Sequence, residues 1–347
     1  RSRLSPDRNL PDKARTPRID NWGNYDHEKQ IQVHVRHAPS PGINDIQAMP
    51  IRPTTAFARL ARADADELAV QEDTMKTRWL MCLLLGTAFF HSVAASDWGP
   101  VALAKEQIAP GDKKKFTFIG ARTFEGSFID FAVFAARGVR SGPTLCITSA
   151  IHGDEINSVE IARRAFAGVQ TNEFSGMLVV LPAVNSSGFR TANRYLPDRR
   201  DLNRYFPGSP HGSVASILAD AVFAGVIKNC SYLIDLHTGS NFRTNLPQIR
   251  VDVENPQALE LAERFGVGII VAGDGPKGSL RREAMKIGIP AIIYEAGPPY
   301  IFLEPEIARG AEGIRNVMIH LQMIQATPSA AHAQTLGKSS WMRVPRG

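Results

Sequence analysis

The sequence predicts an α/β fold with a mixed, mainly parallel sheet that helices cover on both faces. Strand-like and helix-like segments alternate along most of the chain after residue 116, which is the pattern of successive βαβ units. Most of the strand-like segments are unbroken apolar runs, as expected for strands that are buried on both faces. The composition agrees, because 44% of the 347 residues are hydrophobic and 21% are charged, the usual balance of a globular protein.

The predicted strands are short segments rich in Val, Ile, Leu and Phe. In chain order they are residues 116–119, 128–136, 144–151, 177–184, 232–236, 248–253, 268–272 and 291–294. The predicted helices carry apolar residues three and four positions apart. In chain order they are residues 157–169, 213–228, 255–265, 279–287 and 305–324. The third helix begins with Asn255 as its cap and Pro256 at its first position.

The first ninety-five residues differ in character from the rest. Residues 75–95 combine a basic start, an apolar core too short to span a bilayer and a run of small residues, which is the layout of a secretory signal peptide. We expect cleavage after Ala95, a periplasmic or secreted protein, and no stable membrane anchor afterwards. Residues 1–74 mostly lack apolar periodicity and precede the signal, so we expect a non-native or disordered extension. Residues 96–326 then form the main domain.

The last part of the chain changes composition again. A Pro/Ser/Ala-rich segment follows residue 326 and is typical of a linker. Residues 339–344 predict one further strand. We therefore interpret residues 327–347 as a linker and the first strand of a β domain that is cut short.

Cysteine is scarce, with three residues in the whole chain. Cys82 lies in the apolar core of the signal segment, Cys146 in a predicted strand and Cys230 at a helix-to-strand junction. Export would permit a disulfide between the last two, but we expect two small buried thiols. Because the chain has no Cys-x-x-Cys pair, any metal site depends on His and Glu.

Candidate metal ligands follow two predicted strands. His152 and Glu155 come directly after the strand at 144–151, and His237 follows the strand at 232–236. Ligands bind at the carboxyl ends of strands in open α/β sheets, and a His₂Glu set holds catalytic zinc with a fourth position for water. On its own, His-x-x-Glu is a weak signal and favours a loop histidine beside a glutamate that complements the dipole of a helix, but His237 after a second strand adds weight to the metal site. Asp235 could orient an active-site group or cap its strand.

Two further features suit a hydrolase acting on an anionic substrate. The segment 182–208 is a long loop dense in arginine, and guanidinium groups bind carboxylates and developing oxyanions. Glu295 follows an apolar strand, where burial raises a carboxylate pKa and suits it to general-base catalysis. The net charge of +6 is spread along the chain and accompanies no nucleic-acid-binding motif, so we expect no nucleic-acid partner.

Four motifs in this order give a specific resemblance, which covers about residues 116–324. They are His152-Gly-Asp-Glu155, Asp201-Leu-Asn203-Arg204, Asp235-Leu-His237-Thr-Gly and Tyr294-Glu295-Ala-Gly. With them the chain resembles the succinylglutamate desuccinylase/aspartoacylase family and its zinc carboxypeptidase-like fold. The resemblance implies one Zn²⁺ per chain, with His152, Glu155 and His237 as its ligands.

The same resemblance implies roles for the other motif residues. Glu295 matches the general base, and Asn203 with Arg204 matches the pair that binds a substrate carboxylate. Arg194 best matches the arginine that polarises the scissile carbonyl, with Arg190 and Arg200 as close competitors. The chain departs from the family where Asn-Ser replaces the usual Asn-Pro at 185–186, and where the C-terminal β domain breaks off.

These expectations combine into one function. We expect an exported zinc amidohydrolase that deacylates an N-acyl amino acid or a similar small anionic acylated amine. One alternative on this fold is a carboxypeptidase or amidase that acts on cell-wall peptides. The other is a binding protein that has lost catalysis. The acyl group, the amine and the oligomeric state stay open.

Overall fold

A mixed sheet forms the centre of the computed structural model, which describes residues 101–123, 125–329 and 334–336. Before it, β1 (Val101–Leu103) and β2 (Glu106–Ile108) pair as a small antiparallel hairpin. The strands of the central sheet are β3 (Lys113–Arg122), β4 (Phe128–Arg137), β5 (Arg140–Ser149), β6 (Ser175–Leu181), β7 (Tyr232–His237), β8 (Asn245–Val251), β9 (Ile269–Ala272), β10 (Ala291–Gly297) and β11 (Gln334–Leu336).

The strand order across this sheet is β11-β9-β8-β10-β7-β5-β6-β4-β3. The central strands β6, β5, β7 and β10 run parallel to one another, as do β8, β9 and β11. Within the central sheet, three pairings of described strands are antiparallel, namely β3 with β4, β4 with β6, and β8 with β10. The predicted mixed, mainly parallel sheet is therefore confirmed.

Helices cover both faces of the sheet. They are α1 (Ile156–Ala167), α2 (Ser186–Arg190), α3 (Val214–Gly225), α4 (Pro256–Phe265), α5 (Leu280–Lys286) and α6 (Glu304–His320). One apolar cluster joins α3 and α5 to the sheet, and the other joins α1, α4 and α6 to it. Because the sheet is buried on both faces, its central strands need the continuous apolar runs that the sequence shows.

The helices and strands begin and end close to their predicted bounds, with informative differences. The predicted helix at 213–228 ends as α3 at Gly225, and a short 3₁₀ helix follows at Ile227–Asn229. Strand β10 extends beyond the predicted 291–294, so Glu295 lies within the strand. Strand β11 lies inside the segment predicted as a linker. It pairs in parallel with β9, a contact between distant segments that the local sequence does not indicate.

The two cysteines correct a sequence-based expectation. We expected buried thiols at Cys146 and Cys230, but they form a disulfide with a Cα–Cα distance of 5.7 Å. The bond joins β5 to the junction just before β7, and these strands are direct neighbours in the sheet. Sequence spacing did not reveal the pairing because it depends on which strands lie side by side.

Several expectations concern residues outside the described part of the chain. These are the extension at 1–74, the signal peptide at 75–95 and the final strand at 339–344, which stay predictions. Within the described residues, no helix combines the length and apolarity needed to cross a membrane.

The topology brings chemically active residues to one edge of the sheet. Strands β5 and β7 are parallel neighbours, so His152 after β5 and His237 at the end of β7 share that edge. Strand β10 runs parallel to β7, and Glu295 is the direct Cα partner of His237. The carboxyl ends of three parallel strands thus meet where ligands bind in open α/β sheets.

Candidate metal centre and active site

His152, Glu155 and His237 converge on one point, and we call this group the candidate metal centre. Their ligand atoms all lie within 4.8 Å of one another, and all three residues are buried. The Nδ1 atoms of His152 and His237 lie 2.8 Å from Oε1 and Oε2 of Glu155, respectively. The convergence that the sequence predicted is therefore present.

Two motif glycines allow this convergence, because another segment of backbone passes so close to each glycine that a side chain would not fit there. A Cβ on Gly153 would come within 2.0 Å of the Gly188 carbonyl carbon in α2. A Cβ on Gly239 would come within 2.0 Å of the carbonyl oxygen of Arg243. Any side chain at either position would displace the loop that follows β5, which carries His152 and Glu155, or the loop that begins directly after His237.

A carboxylate holds the second ring nitrogen of each histidine. His152 Nε2 lies 3.1 Å from Asp201 Oδ1, and His237 Nε2 lies 2.9 Å from Asp235 Oδ2. Thr148 Oγ1 donates to the other oxygen of Asp235 at 2.7 Å. Such partners fix the ring orientation and leave Nδ1 directed at the metal position. Of the two roles open for Asp235, the orienting one fits the structure.

Charge at the candidate metal centre favours a cation. Burial lowers the pKa of His237, but Asp235 and Glu155 outweigh it and raise the pKa well above its usual value. Burial raises the pKa of Glu155, but His152 and His237 lower it to about 2. The pKa of Asp201 is also lowered, since its bonds to His152 and Arg194 overcome burial. The centre therefore presents ionised carboxylates around two imidazoles, a donor set suited to zinc.

Only one of the three candidate loop arginines reaches this centre. Arg194 donates from Nη2 to Asp201 Oδ2 at 2.8 Å, and its Nη1 lies 3.6 Å from Oε1 of Glu155. Arg190 instead pairs with Asp130 at 3.3 Å, and Arg200 pairs with Asp198 at 3.0 Å. Both of those arginines are exposed. Among the three arginines, the geometry thus favours Arg194 for a role beside the metal ligands.

Asn203 and Arg204 lie on a short 3₁₀ helix, Leu202–Arg204, directly after Asp201. Asp201 caps this turn by accepting from the Asn203 amide at 3.0 Å. Asn203 is buried, and its side-chain oxygen accepts from the Leu280 amide at 2.8 Å. Arg204 is exposed, and its Nη1 donates to the carbonyl of Asn203 at 2.6 Å. The same aspartate therefore orients His152 and positions this pair.

Two residues of β8 hold both carboxylate oxygens of Glu295. Arg250 Nε lies 3.0 Å from Oε1, and Asn245 Nδ2 donates to Oε2. Burial raises the pKa of Glu295, while Arg250 and His237 oppose that rise. The direction agrees with the expectation for a buried carboxylate at this position. Arg250 and Asn245 were missed by sequence reasoning because the antiparallel pairing of β8 with β10 has no local sequence signal.

The family assignment follows from comparison with known proteins. Residues 141–321, about half of the chain, match the family model described as the succinylglutamate desuccinylase/aspartoacylase catalytic domain. This chain belongs to that family. Members of the family are amide hydrolases and deacylases. The matched region spans β5 to the end of α6 and includes all seven residues to which sequence analysis gave a role.

Individual relatives support the same grouping. The chain is 30% identical over 131 residues to N-alpha-acetyl-L-2,4-diaminobutyric acid deacetylase from Halomonas elongata, a match of 36% of this chain and 38% of that protein. The chain thus spans well under half the length of this curated relative.

Solved structures share the fold. A succinylglutamate desuccinylase/aspartoacylase from Rhodobacter sphaeroides has a TM-score of 0.60 at 22% identity, covering 69% of this chain and 77% of that one. The product-bound ectoine utilization protein EutE (DoeB) from Ruegeria pomeroyi has a TM-score of 0.61 at 21% identity, covering 70% and 76%. At this identity the two structures establish the zinc carboxypeptidase-like fold alone.

Proposed function

We propose that this chain is an exported zinc-dependent amidohydrolase that deacylates an N-acyl amino acid or a similar small acylated amine. The family match supports amide hydrolysis, and the Halomonas relative is named for removing an acetyl group from a diamino acid. The observation that carries the proposal is the candidate metal centre with Glu295 as the strand partner of His237.

The residues present fit one zinc ion. His152, Glu155 and His237 supply two imidazole nitrogens and a carboxylate, and each Nδ1 is directed at the shared point by a carboxylate on Nε2. This is the three-ligand set of catalytic zinc sites, which keep one position for water or substrate. When bound, zinc supplies Lewis acidity that polarises a carbonyl and lowers the pKa of water.

Glu295 is the proposed general base. Its carboxylate lies in β10, and Arg250 and Asn245 fix its orientation. In the proposed reaction it accepts a proton from the water that attacks the amide carbonyl, and then delivers that proton to the leaving amine. Burial raises the pKa of its carboxyl group and so makes the carboxylate a stronger base, while the charge of Arg250 opposes that rise.

Arginines of the loop at 182–208 have two proposed tasks. Arg194, held by Asp201 beside Glu155, donates to the carbonyl oxygen as negative charge develops there. Arg204 is exposed with an adjacent Asn203, and together they anchor a carboxylate on the amine side of the substrate. A small anionic substrate is therefore fixed at its carboxylate while its amide carbonyl lies at the metal centre.

Two features support export. The segment at 75–95 has the layout of a signal peptide. The disulfide between Cys146 and Cys230 is of the kind that persists in oxidising compartments and is rare in the cytosol. We propose a periplasmic or secreted location. Fractionation of cells that express the chain would test it, because the exported protein should lie outside the cytoplasm and should be cleaved after Ala95.

Metal analysis combined with a substrate panel tests this function. The purified chain should contain one zinc per chain and hydrolyse N-acetyl amino acids, among them N-acetyl-2,4-diaminobutyrate. Hydrolysis of short cell-wall peptides in place of these amides would favour the carboxypeptidase or amidase alternative. Stoichiometric zinc with no hydrolysis of either class would favour a binding protein on the same fold.

A further inference from the structure

An exposed aromatic pair lies on the two loops that follow β7 and β10, the strands that carry His237 and Glu295. Phe242 is 88% exposed and Tyr300 is 37% exposed, and their ring centroids lie 5.3 Å apart. Ile301 and Phe302, which follow Tyr300, are also exposed. Single exposed apolar side chains are common on protein surfaces. Large apolar side chains that contact one another on the surface indicate a binding site.

Both loops that carry this pair are fastened to the chain segment between two proposed metal ligands. Asp154 accepts from Ser240 Oγ at 2.7 Å and from the Asn241 amide at 3.2 Å. The carbonyl of the same aspartate accepts from the Tyr300 amide at 3.0 Å. Asp154 directly precedes Glu155, so the aromatic pair is tied to the metal centre through one buried residue.

The backbone at both rings adopts an unfavourable conformation. Phe242 has φ 62° and Tyr300 has φ 68°, in the left-handed region that aromatic residues rarely occupy. Such conformations persist where surrounding contacts enforce them, and they concentrate at functional sites. Here Asp154 holds the backbone of Asn241, directly before Phe242, and the backbone of Tyr300 itself, so one buried residue links the two loops that carry the rings.

We propose that Phe242 and Tyr300 bind the apolar acyl chain of the substrate, so that the preferred amides carry acyl groups longer than acetyl. This inference rests on the proposed function. The acyl and amine parts of an amide extend in opposite directions from the scissile bond. Arg204 follows Asp201, which contacts His152, and it is proposed to take the carboxylate of the amine part. The aromatic pair lies on other loops, those that follow His237 and Glu295. We therefore assign the pair to the acyl part.

The energetic reason is burial of apolar surface. Methylene groups laid on the two rings leave water and cover exposed aromatic carbon, which favours binding in proportion to the area covered. A short acetyl group would not extend far enough from the carbonyl to cover both rings. Dependence of the rate on acyl-chain length is therefore the measurable signature of this surface.

A chain-length series on the zinc-loaded full chain tests the proposal. One amino acid would be acylated with acetyl, butyryl or octanoyl, and kcat/KM measured for each. We expect a rise of about tenfold or more from acetyl to octanoyl, because each buried methylene contributes severalfold. Phe242→Ala and Tyr300→Ala should flatten this series, because each should lower kcat/KM for the octanoyl amide more than for the acetyl amide.

Phe128→Ala is the matched control. Phe128 is 58% exposed on β4, three strands away from β7 in the sheet, so its loss should leave the chain-length series unchanged. An equal rate for all three acyl groups in the parent would overturn the inference and leave the proposed function intact. A series that stays steep in Phe242→Ala would also overturn it.

Calorimetry provides a readout that does not depend on turnover. The octanoyl amide should bind Glu295→Gln protein with a negative heat-capacity change, and adding Phe242→Ala should reduce it. If no amide of the panel is hydrolysed, the proposed function fails, and this measurement still decides about the surface. Binding that depends on Phe242 supports the apolar site, whereas absent or Phe242-independent binding contradicts it.

Discussion

The candidate site draws its residues from two regions that the fold positions in different ways. His237 and Glu295 lie at the ends of neighbouring parallel strands, where the sheet register alone sets them side by side. Arg194 lies in the loop at 182–208, where several arginines compete and the carboxylate partner of each decides its position. Strand-end residues are thus fixed by backbone pairing, and loop residues by ion pairs.

This comparison predicts different consequences of substitution in the two regions. Removing a metal ligand at a strand end should abolish metal binding and activity together. Removing Arg194, the loop arginine beside Glu155, should impair the reaction while metal stays bound.

His237→Ala should have the largest effect, because it removes one of three proposed protein ligands. We expect loss of stoichiometric zinc and a fall in activity of at least about 10³-fold. Metal content by mass spectrometry and kcat/KM with an N-acyl amino acid would check this. Asp235→Asn is the matched control, since it only weakens ring orientation and should lower metal affinity about 10–100-fold. Full zinc occupancy in His237→Ala would refute the ligand assignment.

Arg194→Ala should lower kcat by about 10²–10³-fold without loss of zinc, as expected when a donor to a developing oxyanion is removed. Arg190→Ala and Arg200→Ala are the controls from the same loop, and each should stay within about threefold of the parent because both arginines are exposed and pair with Asp130 and Asp198 instead. A larger fall in kcat for either control than for Arg194→Ala would contradict the use of ion-pair partners to identify the catalytic arginine.

Arg250→Met should change the pH profile more than the maximal rate. Arg250 lowers the pKa of Glu295, so its loss should raise that pKa and shift the acidic limb of kcat/KM to higher pH. We expect a loss of about tenfold on the acidic side, with recovery as the pH rises. Arg282→Met is the control, since that arginine pairs with Asp274. An acidic limb that stays in place would contradict the proposed link.

Disulfide removal should have the smallest effect on activity. The bond closes a separation of 84 residues, and both cysteines belong to the apolar core cluster that packs against α3 and α5. Cys146→Ala with Cys230→Ala should lower the free energy of unfolding by about 2–5 kcal/mol, measured by urea denaturation. The kcat/KM at low temperature should change little, because neither cysteine reaches the metal centre. Unchanged unfolding in the double variant would show that the disulfide adds no stability.

Sequence reasoning reached the strand-end residues because their signals are local. An unbroken apolar run ending at His237 or before Glu295 marks a buried strand and its end within a few positions. The alternation of such runs with amphipathic helices was also enough to predict the sheet and its covering helices. For these residues, the local sequence pattern alone is enough to predict their position in the fold.

The parts that sequence reasoning missed depend on contacts between distant segments. Pairing of Cys146 with Cys230 requires knowing that β5 and β7 are neighbours, and the role of Arg250 requires the antiparallel placement of β8 beside β10. Arg194 could not be separated from its competitors because charge density alone does not say which carboxylate each arginine meets. Asp201 stood in a recognised motif, but its bond to His152 was visible only in three dimensions.

Glu295→Gln separates the proposed general base from the proposed metal ligands, because Glu295 accepts the proton and lies outside the His152, Glu155 and His237 group. Zinc content and single-turnover rate would be measured on the same preparation, with an N-acyl amino acid that the parent hydrolyses. We expect zinc near one per chain and a rate lowered by about 10²–10⁴-fold, as for a removed general base. A zinc-loaded variant that keeps most of the parent's rate would contradict the mechanism, and loss of zinc would contradict the ligand set.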